Sequence, residues 1–164
     1  MNRLRWIQIL FVCAIGYFIF ASSSNGRATA ANTGNTGAPG ETTCGQCHNG
    51  GSYNASVAIQ VFPNGGTVPT TQFVSGNTYT VKVTVSNSMG NPFGYAFQFT
   101  ALTDADSAPI SGYSSLASNV KQKTITVVNA FTGRTYLEHN GVTSNNLFQF
   151  NWTAPANLNE PITF

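Results

Sequence analysis

The sequence predicts an all-β protein: an immunoglobulin-like antiparallel β-sandwich with an irregular N-terminal arm, following a signal-peptide helix. Three observations predict it. Apolar residues recur at every second position in short runs, Gly-, Pro- and Asn-rich turn signals separate those runs, and beyond the leader no segment keeps apolar residues at helical spacing. Successive side chains of a strand point to opposite faces, so such alternation is what a sheet with one buried face requires.

The leader comes first. Arg3 and Arg5 form a short basic region, Trp6 to Ala21 is an apolar run broken by Gln8 and Gly16, and small residues follow as far as Ala28-Thr29-Ala30. That triplet has the A-x-A form that signal peptidases accept, and an apolar stretch of about 16 residues falls short of the roughly 20 that cross a bilayer. Residues 1–30 therefore read as a cleaved secretory signal, which places the protein in a secreted, periplasmic or cell-surface location. Cys13 lies inside the apolar run without the small preceding residue of a lipoprotein signal, so the mature chain keeps two cysteines.

Residues 31–55 are dominated by Asn, Thr, Gly and Pro and are expected to form the irregular arm. Residues 56–164 carry the alternating runs: Val57, Ile59 and Val61; Tyr79, Val81, Val83 and Val85; Tyr95, Phe97 and Phe99; Ile125 and Val127; Phe148, Phe150 and Trp152. Pro63-Asn64-Gly65-Gly66, Ser75-Gly76-Asn77, Met89-Gly90-Asn91-Pro92 and Asn140-Gly141 punctuate them. About seven short strands at this spacing match the sandwich class. Pro161 to Phe164 reads as the start of a final strand, so the sandwich is expected to be truncated at its C-terminus, leaving an open sheet edge.

Only 7% of the residues are charged and the net charge is +2, so no basic stripe is available to neutralise phosphates and nucleic acid is not an expected partner. Five acids, with no Ser-His-Asp order and no carboxylate pair at strand ends, argue against a hydrolase. Chemistry concentrates instead in Cys44-Gly45-Gln46-Cys47-His48. Two thiols at this spacing form thioethers with the two vinyl groups of a haem, and the adjacent imidazole ligates the iron. Cys44 and Cys47 are the candidate attachment residues for one covalent haem c, and His48 is the proximal ligand.

His139 and Met89 are the candidates for the sixth iron position, His139 being preferred. Two other readings of the pentapeptide stay open. One is a local Cys44–Cys47 disulfide that staples the arm or shuttles electrons. The other is a Cys2His metal site that takes its fourth ligand from His139 or Glu41. Asp104-Ala105-Asp106-Ser107 supplies oxygens for a weaker calcium candidate.

Several segments together resemble the Reeler (reelin-like) domain and the bacterial choice-of-anchor V domains. They are Thr36 to Glu41 leading into the pentapeptide, Gly76 to Val81, Phe93 to Leu102, Tyr136 to His139 and Phe150 to Pro155. The resemblance implies an immunoglobulin-like sandwich in an exported binding or adhesion module, the bacterial members often carrying a C-terminal anchor. The present chain departs from the eukaryotic pattern by holding C-x-x-C-H in place of a lone cysteine. Two functions follow as expectations: an exported haem c electron-transfer protein with a redox partner, or a non-enzymatic module that binds an extracellular or cell-surface ligand. Membrane contact is expected only through an uncleaved leader or a missing C-terminal anchor.

Overall fold

A computed structural model describes residues 25–46 and 51–164. The leader as far as Ser24, and with it Cys13, lies outside the described residues, as do Cys47 and His48. A short helix, α1 (Arg27–Ala31), precedes the strands. The strands are β1 (Ala55–Pro63), β2 (Thr78–Asn87), β3 (Gln98–Phe99), β4 (Ala101–Thr103) and β5 (Pro109–Ile110), then β6 (Tyr113–Ser114), β7 (Val120–Thr124), β8 (Thr135–His139), β9 (Leu147–Thr153) and β10 (Ile162–Thr163). All pair antiparallel, as the alternation predicts.

The first layer is a four-stranded sheet in the order β1-β2-β9-β6. Its inner face is the period-two set Tyr79, Val81, Val83 and Val85 on β2 beside Phe148, Phe150 and Trp152 on β9, all buried. The register pairs Val81 with Phe150 and Val83 with Phe148, so a β-branched side chain lies beside an aromatic one at each step. The opposite layer consists of β3-β8-β7 and β10-β4-β5. Thr100 divides β3 from β4, and its hydroxyl donates to Thr135 O at 3.1 Å, so one stretch of chain serves two sheets. Rings from the two layers meet in the middle: Phe97 stacks on Phe148 at 4.3 Å between centroids, and Phe99 meets Phe150 edge-on at 5.0 Å. Such pairs each add about 0.5–1.5 kcal/mol beyond the area they bury.

The structure redraws several predicted elements. Ile125 and Val127 do not form a strand; the strand there is β7, which ends at Thr124, and Val127 is 44% exposed. Of the Tyr95 run, only Phe99 and its neighbour Gln98 are in a strand, while Tyr95 makes an isolated bridge to Thr143. Val57 and Ile59 occupy the edge strand β1 and are 63% and 40% exposed. Pro161 to Phe164 does contain a short strand, and β10 pairs with β4. A five-residue helix spans Ala28-Thr29-Ala30, at the end of the segment read as the leader, and packs on the sandwich instead of preceding it as a separate signal.

Candidate functional site

The arm that carries the first half of the pentapeptide is clamped to the outer face of the β3-β8-β7 sheet by two buried carboxylates. Alternation along β8 makes this possible. Leu137 and His139 turn towards the sandwich interior, Leu137 joining the core and His139 sharing its face with buried Val120 across the ladder. Tyr136 and Glu138 turn the other way, towards the arm. Tyr136 packs there with Ala28 and Ile125, while Glu138 is fully buried.

Glu138 receives α1. Its Oε2 accepts from Ala28 N at 2.9 Å, and its Oε1 accepts from Thr29 N at 2.9 Å and Thr29 Oγ1 at 2.5 Å. Backbone N–H groups of a first helical turn have no partner within the helix, and a carboxylate satisfies them with charge-assisted bonds. Gly26 precedes the helix at φ +69°, and a Cβ there would collide with the Glu138 carboxylate. Gln98 Nε2 also donates to Glu138 Oε2 at 3.3 Å, and Gln98 Oε1 accepts from Asn35 N at 2.6 Å.

Glu41 performs the same task from the arm side. Its Oε1 accepts from Arg134 Nη1 at 2.7 Å and from the Tyr136 hydroxyl at 2.5 Å, and its Oε2 accepts from Thr36 N at 3.0 Å and Thr36 Oγ1 at 2.8 Å. Arg134 Nη2 donates in addition to Pro39 O at 2.9 Å. The carboxylate is wholly shielded from solvent. Burial and then the neighbouring Glu41 carboxylate, by hydrogen bond and by charge, push the Tyr136 phenol well above its ordinary range, so it stays a neutral donor.

Cys44 opens a short 3-10 turn, Cys44–Gln46, and is exposed. Its thiol donates to Asn35 O at 3.3 Å, so the backbone of Asn35 connects the cysteine to Gln98 and through it to Glu138. A bridge between Thr36 and Thr43 closes the arm behind it. Cys44 is thus held outward on a loop that both carboxylates fix in place.

The other predicted site residues separate. His139 is buried on the inner face of the sheet whose outer face holds the arm, with Nδ1 3.2 Å from Phe97 O. The fold does not bring it to Cys44. Met89 is 58% exposed on the loop between β2 and β3. Its N–H donates to Tyr53 O at 3.2 Å, and Asn54 Nδ2 donates to Ser88 Oγ at 2.6 Å, so this loop lies against the segment that leaves the pentapeptide. Asn87 Nδ2 donates to Met89 O and Gly90 O, which holds the loop while leaving the Met89 side chain outward.

Glu41, with four donors on its two oxygens, has no acceptor site left for a metal, and His139 faces away, so neither completes a Cys2His set. The calcium candidate is also committed: Asp106 Oδ1 accepts from Thr103 Oγ1 and Ala108 N, which lowers its pKa, and Asp104 Oδ1 accepts from Thr163 Oγ1 at 2.7 Å. Sequence reasoning did not single out Glu138 or Arg134. The available signal was scarcity, since in a chain with five acids each is a candidate for a specific partner. The chain matches no family model, no curated protein and no solved structure.

Proposed function

We propose that the protein is an exported haem c carrier that transfers electrons to a partner outside the cytoplasm. The observation that carries this reading is the spacing Cys44-x-x-Cys47-His48 on an arm whose approach, from Thr36 to Cys44, is fixed to the sandwich by Glu41 and Asn35. The donor set suits the group: two thiols for the thioethers and one imidazole for the iron. Bound there, haem supplies a one-electron ferrous–ferric couple.

The chain's own residues position and shield. Glu41 and Glu138 hold the arm against β8, so Cys44 is presented from a fixed base. Were haem bound, Met89 would be more accessible than His139 as a second iron ligand, because Met89 is outward beside Tyr53 while His139 is buried on the inner face of its sheet. A thioether ligand raises the reduction potential. Expression with haem-attachment machinery should give a covalent haem band and a pyridine haemochrome spectrum; a correctly exported chain without either sinks the proposal.

A second reading is supported by the exposure of Cys44, which suits a local disulfide on a non-enzymatic extracellular binding module. Intact mass separates the two. A haem adduct supports the carrier, and a chain lighter by two hydrogens with no adduct supports the staple.

A further inference from the structure

The A-x-A triplet that the sequence offers to a signal peptidase is part of the folded domain. Ala28 is fully buried against Ile125 and Tyr136, and the N–H groups of Ala28 and Thr29 are held by Glu138. One residue before the N-cap Gly26, Asn25 O accepts from Lys121 Nζ at 2.5 Å. Asn32 O, just past the helix, accepts from Asn129 Nδ2 at 3.0 Å. A cut after Ala30 removes the apolar plug over Tyr136 and three of the four donors that Glu138 uses. A carboxylate that gives up its native partners this way loses charge-assisted bonds and is left buried and unpaired.

We infer that the leader is cleaved upstream of Asn25, within Ala21-Ser22-Ser23-Ser24, and that residues 25–31 are a permanent part of the mature arm. The inference rests on the export reading. The stretch qualifies chemically: it directly follows the apolar run and consists of small side chains, which is what the peptidase accepts. Cleavage is hydrolysis of one peptide bond, in which water gives hydroxyl to the carbonyl carbon and a proton to the amide nitrogen, so a carboxylate and a new amine are released. The new amine then lies a few residues ahead of the Lys121 contact rather than inside α1.

The test is export of the full chain in a bacterial host, followed by N-terminal sequencing and intact mass. The expected mature chain starts between Ser22 and Asn25, and a chain starting at Ala31 overturns the inference. Ala30→Phe gives an independent readout. Ala30 is exposed, so the substitution leaves α1 seated, yet a bulky residue before the scissile bond blocks cleavage there. Processing within about twofold of the unsubstituted chain, at the same position, supports the upstream site; loss of processing overturns it. An exported chain that keeps residues 1–24 also overturns the inference, whereas a chain that is not exported sinks the export reading itself. Absence of haem from a chain with the expected N-terminus sinks only the carrier proposal.

Discussion

Arg134 Nη1 donates to Glu41 Oε1 at 2.7 Å, joining the arm to the entrance of β8 across 93 residues of sequence. The pair is shielded, with Glu41 fully buried and the Arg134 side chain 11% exposed. Removing one partner leaves the other charged and unpaired in a low-dielectric setting. Glu41→Ala should therefore lower the unfolding free energy by about 3–5 kcal/mol, while Glu41→Ala combined with Arg134→Met recovers part of the loss. Urea denaturation checks both; a single substitution losing under about 1 kcal/mol would show that the arm is not clamped there.

The same contact governs alkaline stability. Tyr136 is pushed up by burial and by Glu41, and Tyr113 is pushed up by burial. A phenol whose pKa is raised on folding contributes stability that is complete below its unfolded value of about 10 and is lost as pH rises through the folded value. Unfolding free energy should fall above about pH 10, together with a late rise in phenolate absorbance. Tyr136→Phe should shrink that late absorbance step. An unchanged step would contradict the assignment.

In haem-loaded protein, Met89→Ala should lower the reduction potential, and His139→Leu should leave potential and visible spectrum unchanged. The reason is placement: Met89 is outward on its loop, and His139 shares the inner face with Val120. Potentiometry on both variants decides it. A spectral change confined to His139→Leu would reverse the assignment.

At the other side of the molecule, Thr70 N donates to Val61 O at 2.7 Å, so the Val61 carbonyl points away from β2. Period-two geometry then turns the N–H and C=O groups of Val57 and Ile59 outward as well, along a strand without a charged residue. Such an edge is a template for pairing with a second copy. Val57→Lys should reduce concentration-dependent association in sedimentation or light scattering while shifting the unfolding free energy by less than about 0.5 kcal/mol. Unchanged association would place the contact elsewhere.

The sheet that covers one face only was legible in advance. β2 and β9 alternate because their outer faces meet solvent, so Tyr79 to Val85 and Phe148 to Trp152 show which side is inward. β8 was not legible as a strand. All five of its residues are buried, since the arm covers Tyr136 and Glu138 while the core takes Leu137 and His139, and burial on both faces erases alternation. β7 was hidden by the reverse effect, because Val120 is its single buried residue. α1 has five residues, too few for a 3.6-residue period to appear.

The C-x-x-C-H spacing, the apolar N-terminal run, the low charge and the class of fold follow from residue types and short spacings, because thiol spacing, hydropathy and strand alternation are local properties. Tertiary structure decided what the five acids do: every one of them accepts a hydrogen bond, Glu138 and Glu41 from partners 40 to 110 positions away or on the neighbouring turn, Glu160 from Ala105. It also decided that His139 faces inward and Met89 outward. A buried carboxylate and an exposed one are the same letter in a sequence; only the approach of distant backbone N–H groups makes burial of the charge affordable.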